Sequence, residues 1–358
     1  MDQQIADSRI VSGERAEPWL GAVDSAAFST AYDEAAWLPV VNSLLIARHG
    51  RLIGERYFNG QDAMTALNVH SVAKSVLAVV VGIVAEKGYI DSLDTPIQHW
   101  LPEYFGTHTD ARKRTIALRH LLTMTSGLGW IENEANNAMW RRSDDWIAYA
   151  LKLPLVSLPG RQFNYNTSLT HLLSVILSRT TGLSTREFAQ RYLFDALGVQ
   201  IARWDADPQG YSIGGSDLYL RPRDMLRFGQ LILDIGAVGK GRIVAEAWLR
   251  ECIKPHVALR SSGFWGPAYR NYGYLWWLRK LQSYETWVAS GYAGQLIFIV
   301  PRLALVVVTT AQDNVPYTAV MKQSNQIEEI VEDFIIPAVQ EETDNGSSDN
   351  RIPQRGPG

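Results

Sequence analysis

In this 358-residue chain, the spacing of Ser71 and Lys74 points most directly to chemistry. They lie three residues apart in "NVHSVAKSV" (68–76), at the head of a run of valines. On a helix, positions i and i+3 share a face, with Cβ atoms about 5–6 Å apart, so the two side chains would meet. A serine hydroxyl becomes a useful nucleophile only when a base accepts its proton. A lysine in water, with a pKa of about 10.4, holds its own proton at neutral pH. Burial disfavours the ammonium form and lowers that value, and Val72, Ala73, Val76, Leu77 and Ala78 supply the apolar neighbours. Ser71 in the first turn would also bring backbone N–H groups and the positive end of the helix dipole to a developing oxyanion. Ser-x-x-Lys is a common tetrapeptide, so the spacing alone leaves an incidental charge open. The context favours chemistry, because lysines are rarely buried in apolar helices without a partner or a purpose.

Other candidates are weaker. "GYSIG" (210–214) matches the nucleophile-elbow pattern G-x-S-x-G around Ser212. That motif needs an apolar strand before it and a helix after it, whereas "WDADPQ" precedes and "GSDLYL" follows. It reads as a glycine-rich loop. The seven histidines are scattered without an H-E-x-x-H pair. His120 and His171 fall in helical segments and read as structural, and His70 adjoins Ser71 without an assigned role. The single cysteine, Cys252, excludes an internal disulfide and a cysteine-rich metal site, and reads as a small buried hydrophobe. No metal or cofactor is expected.

The elements that must position the pair follow from periodicity. "VNSLLIARHGRLIGERYF" (41–58) reads as two strands joined by a tight turn at His49-Gly50. Residues 71–89 favour a strand by valine content, but exceed ordinary strand length and stop at Lys87-Gly88. They read as a helix buried on nearly every side. Between about 110 and 235, "TIALRHLLTM", "SLTHLLSVILSRTTG", "STREFAQRYLFDALG" and "RPRDMLRFGQLILDIG" carry apolar residues at helical spacing, and most end at glycine. Ser184 and Glu187 form a capping-box pattern. Four short strands are expected after Tyr272, in "YGYLWWL", "ETWVASG", "QLIFIVP" and "LALVVVTTA", followed by a helix over about 317–339.

Strands at both ends with helices between them predict an α+β fold, an antiparallel sheet flanked by helices with an inserted helical domain. The expected divisions are an N-terminal extension (1–16), a discontinuous α/β domain (17–105 and 236–340), a mainly helical domain (106–235) and a disordered tail (341–358). The cleft between the two domains is the natural site.

Composition sets the remaining bounds. The chain is 46 % hydrophobic and 20 % charged, with a formal net charge of −3, as in an ordinary globular protein. That balance offers no attraction for nucleic acid or an anionic membrane. The run Val76–Ala85 is too short to span a bilayer about 30 Å thick. The N-terminus shows no apolar segment behind a basic start, so the default expectation is cytoplasmic, or periplasmic if a leader has been removed. The expected partner is a small-molecule substrate, and nothing in the sequence sets an oligomeric state.

Several segments together resemble the serine β-lactamase and penicillin-binding-protein-like hydrolases, in particular the class C branch with its esterases and 6-aminohexanoate-dimer hydrolases. They are "SVAK", "GYIDSLDTPIQHWLPEY", "TIALRHLLTMTSGL", "PGRQFNYNTSLTHLLSVI", "GGSDLYLRPRDMLRFGQLIL" and "VASGYAGQLIFIVP", in the family's order across about Val41 to Val339. The resemblance implies the β-lactamase/transpeptidase-like fold and an acyl-enzyme mechanism. Ser71 would be the nucleophile, Lys74 the base or shuttle, and Tyr165 the tyrosine of the Y-x-N motif. Lys74 and Tyr165 would form a favourable ammonium–tyrosinate pair that titrates as a unit. The oxyanion hole would use the backbone N–H groups of Ser71 and of Tyr292, just after Gly291.

Two departures narrow the expectation. Thr167 stands where the family motif has asparagine. "ASG" (289–291) stands where an edge strand carries Lys-Thr-Gly or His-Thr-Gly, leaving Ser290 as a donor but no cation for a carboxylate. The lost cation favours ester or small-amide hydrolysis over β-lactam hydrolysis, with a catalytically silent ligand-binding homologue as the reading from another class. The tryptophans of "LGWIE" and "LWWLRK" are open to either an acyl pocket or the core.

Overall fold

The computed structural model describes residues 25–259, 269–314 and 317–339. The expected N-terminal extension, the absence of a leader-like segment and the C-terminal tail fall outside the described residues. Helix α1 (Ser25–Trp37) precedes the hairpin β1 (Val41–Arg48) and β2 (Arg51–Tyr57), and β3 (Leu67–Asn68) leads into α2 (Val72–Glu86). Helices α3 (Leu118–Leu122), α4 (Glu134–Arg141), α5 (Trp146–Lys152), α6 (Thr167–Thr181) and α7 (Thr185–Ala189) follow. Strands β4 (Arg203–Trp204) and β5 (Leu218–Leu220) precede α8 (Pro222–Leu233). The small hairpin β6 (Ala237–Val238) and β7 (Gly241–Arg242) leads to α9 (Glu246–Cys252). The chain closes with β8 (Val257–Ala258), β9 (Tyr269–Tyr272), β10 (Trp277–Leu281), β11 (Tyr284–Gly291), β12 (Gln295–Val300), β13 (Leu305–Ala311) and α10 (Tyr317–Ile330).

Eight strands form one sheet in the order β2-β1-β13-β12-β11-β10-β9-β8. Every pairing in it is antiparallel. The N-terminal hairpin therefore sits beside the last strand, and the two ends of the chain close a single sheet. Because side chains alternate across a pleat, the registers assign the covering helices. Gly229 of α8 meets Val306 and Ile297, and Arg223 of α8 pairs with Glu55. Tyr32 of α1 lies over Gly54 and Ile46. Val306 is opposite Ala47, whereas Gly54 is opposite Ile46, one residue out of phase. The helices α1 and α8 therefore cover opposite faces. Helix α8, grouped by sequence with the central helices, packs on the sheet, because a glycine at its contact lets the backbones approach.

Helix α2 is buried from Val72 to Val84 and packs against both β11 and α6. The helix signals hold: Gly182 and Gly198 end their segments at positive φ, and Ser184 and Glu187 cap each other's backbone N–H. "YGYLWWL" is not one strand. β9 ends at Tyr272 and β10 begins at Trp277, with a turn in which Gly273 donates to Trp276 O and Leu275 adopts φ 60°. Tertiary contacts pull this turn out of the sheet. The Leu275 N–H donates to Leu122 O, and Ser75 Oγ donates to Leu275 O. Among the described residues no helix is long and apolar enough to cross a membrane.

Candidate active site

Ser71 is the N-cap of α2, and its hydroxyl caps no backbone N–H. Oγ instead accepts a 2.7 Å hydrogen bond from Lys74 Nζ, one turn on, as the spacing requires. Lys74 is 1 % exposed, and Nζ also donates to Gly215 O at 2.9 Å. That contact depends on glycine, because a Cβ at 215 would lie 2.7 Å from Thr167 Cγ2 and 3.2 Å from Nζ. Burial lowers the Lys74 pKa to about 8. The Glu132 carboxylate opposes this, the Arg141 guanidinium reinforces it, and Asp217 opposes it.

Tyr165 is 6 % exposed. Its hydroxyl hydrogen-bonds the Ser71 side chain, its ring centroid lies 5.0 Å from Lys74 Nζ, and Trp277 stacks on it at 5.5 Å. Burial, with Glu132 adding to it, pushes the phenol well above its ordinary value. This corrects the expected ammonium–tyrosinate pair: both groups are desolvated, which favours the neutral form of each. The resting partner of Lys74 is a neutral phenol.

The segment before the serine is tightly held. His70 takes φ 48°, a region costly for a side-chain-bearing residue. Its N–H donates to Asn68 Oδ1 at 2.9 Å and its Nε2 meets Asp313 at 2.8 Å. Opposite lies the end of β11. This strand is interior to the sheet rather than at its edge, but its pairing with β10 ends at Val288. Ala289, Ser290 and Gly291 pair only with β12, which leaves a local edge beside Ser71. A Cβ at Gly291 would stand 2.4 Å from Val69 O, so only glycine lets the strand end approach the serine segment this closely.

Ser71, Tyr165, Thr167, Ser290, Gly291 and Tyr292 all line one cavity of about 260 Å³. Lys74 lies beneath it. Thr167, the first residue of α6, donates Oγ1 to Glu132 Oε1 at 2.8 Å and its N–H to Glu132 Oε2 at 3.0 Å. Glu132 and Arg141 also line the cavity and were not singled out from sequence. Arg141 donates to Asp217 Oδ2 at 2.5 Å and Ser216 Oγ at 2.9 Å. Only the "LGWIE" segment drew notice, and then for its tryptophan. Trp130, Trp276 and Trp277 are buried core residues outside the cavity wall.

The rejected candidates lie elsewhere. Ser212 is buried and accepts from Arg186 N at 3.2 Å, His171 pairs with Asp207 at 2.8 Å in the interior, and Cys252 is buried.

A helix headed by a serine against an antiparallel sheet, with a lysine one turn on and a tyrosine from the helical region, is the arrangement expected of a serine hydrolase. A profile of the Beta-lactamase family matches residues 26–331, and the chain belongs to that family. It is 24 % identical over 281 residues to a 6-aminohexanoate-dimer hydrolase of Paenarthrobacter ureafaciens, covering 75 % of this chain and 71 % of that one. It is 25 % identical over 191 residues to esterase EstB of Burkholderia gladioli, about half of each chain (47 % and 48 %). A penicillin-binding-protein homologue from Caulobacter crescentus superposes with a TM-score of 0.67 at 14 % identity, covering 87 % of this chain and 97 % of that one.

Proposed function

We propose that this chain hydrolyses carboxylic esters, and more slowly small amides, through an acyl-enzyme on Ser71. The observation that carries the reading is the convergence of Ser71 Oγ, Lys74 Nζ and the Tyr165 hydroxyl beside one cavity. Neutral Lys74 takes the Ser71 proton across the 2.7 Å contact as Oγ attacks the substrate carbonyl. The oxyanion forms where the Ser71 N–H, unpaired at the helix start, and the N–H of Tyr292 would meet it. The proton on Lys74 then passes by way of the Tyr165 phenol to the leaving alkoxide or amine as the tetrahedral adduct collapses. Water enters, gives its proton to Lys74 and attacks the acyl carbon; the proton returns to Ser71 as the acid departs.

Esters and small amides rank ahead of β-lactams because position 289 is alanine, so the strand end offers no cation to a substrate carboxylate, and the cavity's Arg141 is engaged by Asp217. The esterase among the relatives supports this order, and the 6-aminohexanoate-dimer hydrolase keeps the amide arm in play. The test is a panel of p-nitrophenyl esters of increasing chain length, nitrocefin and a linear aminohexanoate dimer. Each is run on wild type and Ser71→Ala, with a fluorophosphonate probe as trap. Ester turnover lost in Ser71→Ala, with label on Ser71, supports the reading. No turnover and no label would leave a silent ligand-binding homologue, and brisk nitrocefin turnover would overturn the argument from Ala289.

A further inference from the structure

Glu132, in the cavity wall described above, accepts four hydrogen bonds, and the acyl-transfer steps make no use of it. Oε1 accepts from Thr167 Oγ1 and Asn137 Nδ2, both at 2.8 Å. Oε2 accepts from the Trp130 indole N–H at 2.8 Å and the Thr167 backbone N–H at 3.0 Å. Two donors meet each oxygen, a pattern a carboxylate satisfies and a carboxamide cannot, since its NH₂ would face two donors.

We propose that Glu132 is a positioning residue for the Ser71–Lys74–Tyr165 centre: it pins the backbone that carries Tyr165 and sets a negative charge against Lys74, so that the lysine rather than the phenol carries the mobile proton. The inference rests on the acyl-enzyme reading above.

The pinning follows from chain position. Thr167 is two residues beyond Tyr165 and opens α6, where backbone N–H groups lack intrahelical acceptors and a negative charge is favoured. Glu132 fills that role through Thr167. On the other side of Tyr165, Asn164 donates its N–H to Met124 O at 2.8 Å. The phenol is thus held between two anchored residues, and Trp130 and Asn137 fix the carboxylate in turn.

The charge acts in opposite senses on the two groups. Beside Lys74 it favours the ammonium that forms when Ser71 is deprotonated. Beside Tyr165 it disfavours the phenolate. The charged groups facing Lys74 are Glu132 from the loop before α4, Arg141 from the end of α4, and Asp217 from the segment before β5, with Tyr165 as the neutral partner.

Fluorophosphonate labelling of Ser71 tests this without knowledge of the substrate. Its rate is measured from pH 5 to 10 for wild type, Glu132→Gln, Glu132→Asp and Thr167→Val, with melting curves for each. Loss of the negative charge lowers the Lys74 pKa, so the acid limb of Glu132→Gln falls by about one pH unit, and its plateau rate falls at least about tenfold. Glu132→Asp keeps the wild-type midpoint with a reduced plateau. Thr167→Val, which keeps the charge and loses one anchor, lowers the plateau without moving the midpoint. This also tests the pinning should Glu132→Gln not fold. An unmoved or raised midpoint in a folded Glu132→Gln overturns the inference alone, as does a Thr167→Val plateau equal to wild type. A wild type that takes no label at any pH overturns the acyl-enzyme reading together with it.

Discussion

The desolvated lysine makes a quantitative demand on the pH dependence of catalysis. With a Lys74 pKa of about 8, the neutral base is ~9 % of the enzyme at pH 7 and ~90 % at pH 9. At the reference value of 10.5 the same fractions would be ~0.03 % and ~3 %. The buried site therefore predicts that kcat/KM rises about tenfold between pH 7 and 9 and levels above 8, with a slope of one below 7. An unshifted lysine predicts a rise of roughly a hundredfold with no levelling. The perturbation that isolates the cause is Lys74→Arg. It keeps a cation near Ser71 but cannot give up its proton, so activity should fall by about a thousandfold or more. The assay is initial-rate hydrolysis of a p-nitrophenyl ester from pH 5.5 to 9.5, corrected with Ser71→Ala. A profile still climbing at pH 9.5, or a Lys74→Arg enzyme with the wild-type profile, would refute the reasoning.

Three further outcomes follow from the same structure. Burying the Lys74 ammonium costs roughly 3 kcal/mol at neutral pH. Lys74→Met removes that cost but leaves Gly215 O without its donor, so it should raise stability by roughly 1–2 kcal/mol at pH 7. The folded-state value lies below the unfolded one, so wild-type stability climbs from about pH 8 to 10.5 and the variant's advantage in urea unfolding shrinks over that window. Gly215→Ala sets a Cβ 2.7 Å from Thr167 Cγ2 and Thr170 Oγ1, both buried; it should cost about 1–3 kcal/mol in thermal unfolding and lower kcat about tenfold or more by moving the carbonyl that holds Lys74. Arg279, 5 % exposed, pairs with Glu328, whose other oxygen accepts from Tyr269 at 2.6 Å. Arg279→Met strands that carboxylate in the interior and should cost about 3–5 kcal/mol, read by urea unfolding.

How much of this could be foreseen depended on the range over which each feature is encoded. The 3.6-residue helical repeat alone is enough to bring Lys74 to Ser71, and Val72 to Val84 on every face mark α2 as interior. The β1–β2 hairpin, β11 to β13 and the Ser184–Glu187 box are equally local, resting on alternation, glycine turns and capping chemistry. The turn that splits β9 from β10 was not legible, because Gly273 to Trp276 read as strand by composition. What bends them is contact with Ser75 and Leu122, far away in the chain. The charges that tune the site were hidden for the same reason. Glu132, Arg141, Gly215 and Asp217 come from separate loops and helix ends, and no periodicity links them to residue 74. A pKa responds to whatever charge and dielectric lie within a few ångströms of the group. The meeting of the proposed nucleophile and its base was therefore written in one helical turn. The direction in which Lys74 and Tyr165 shift, and the carboxylate that holds Thr167, emerged only when segments tens of residues apart closed over the same cavity.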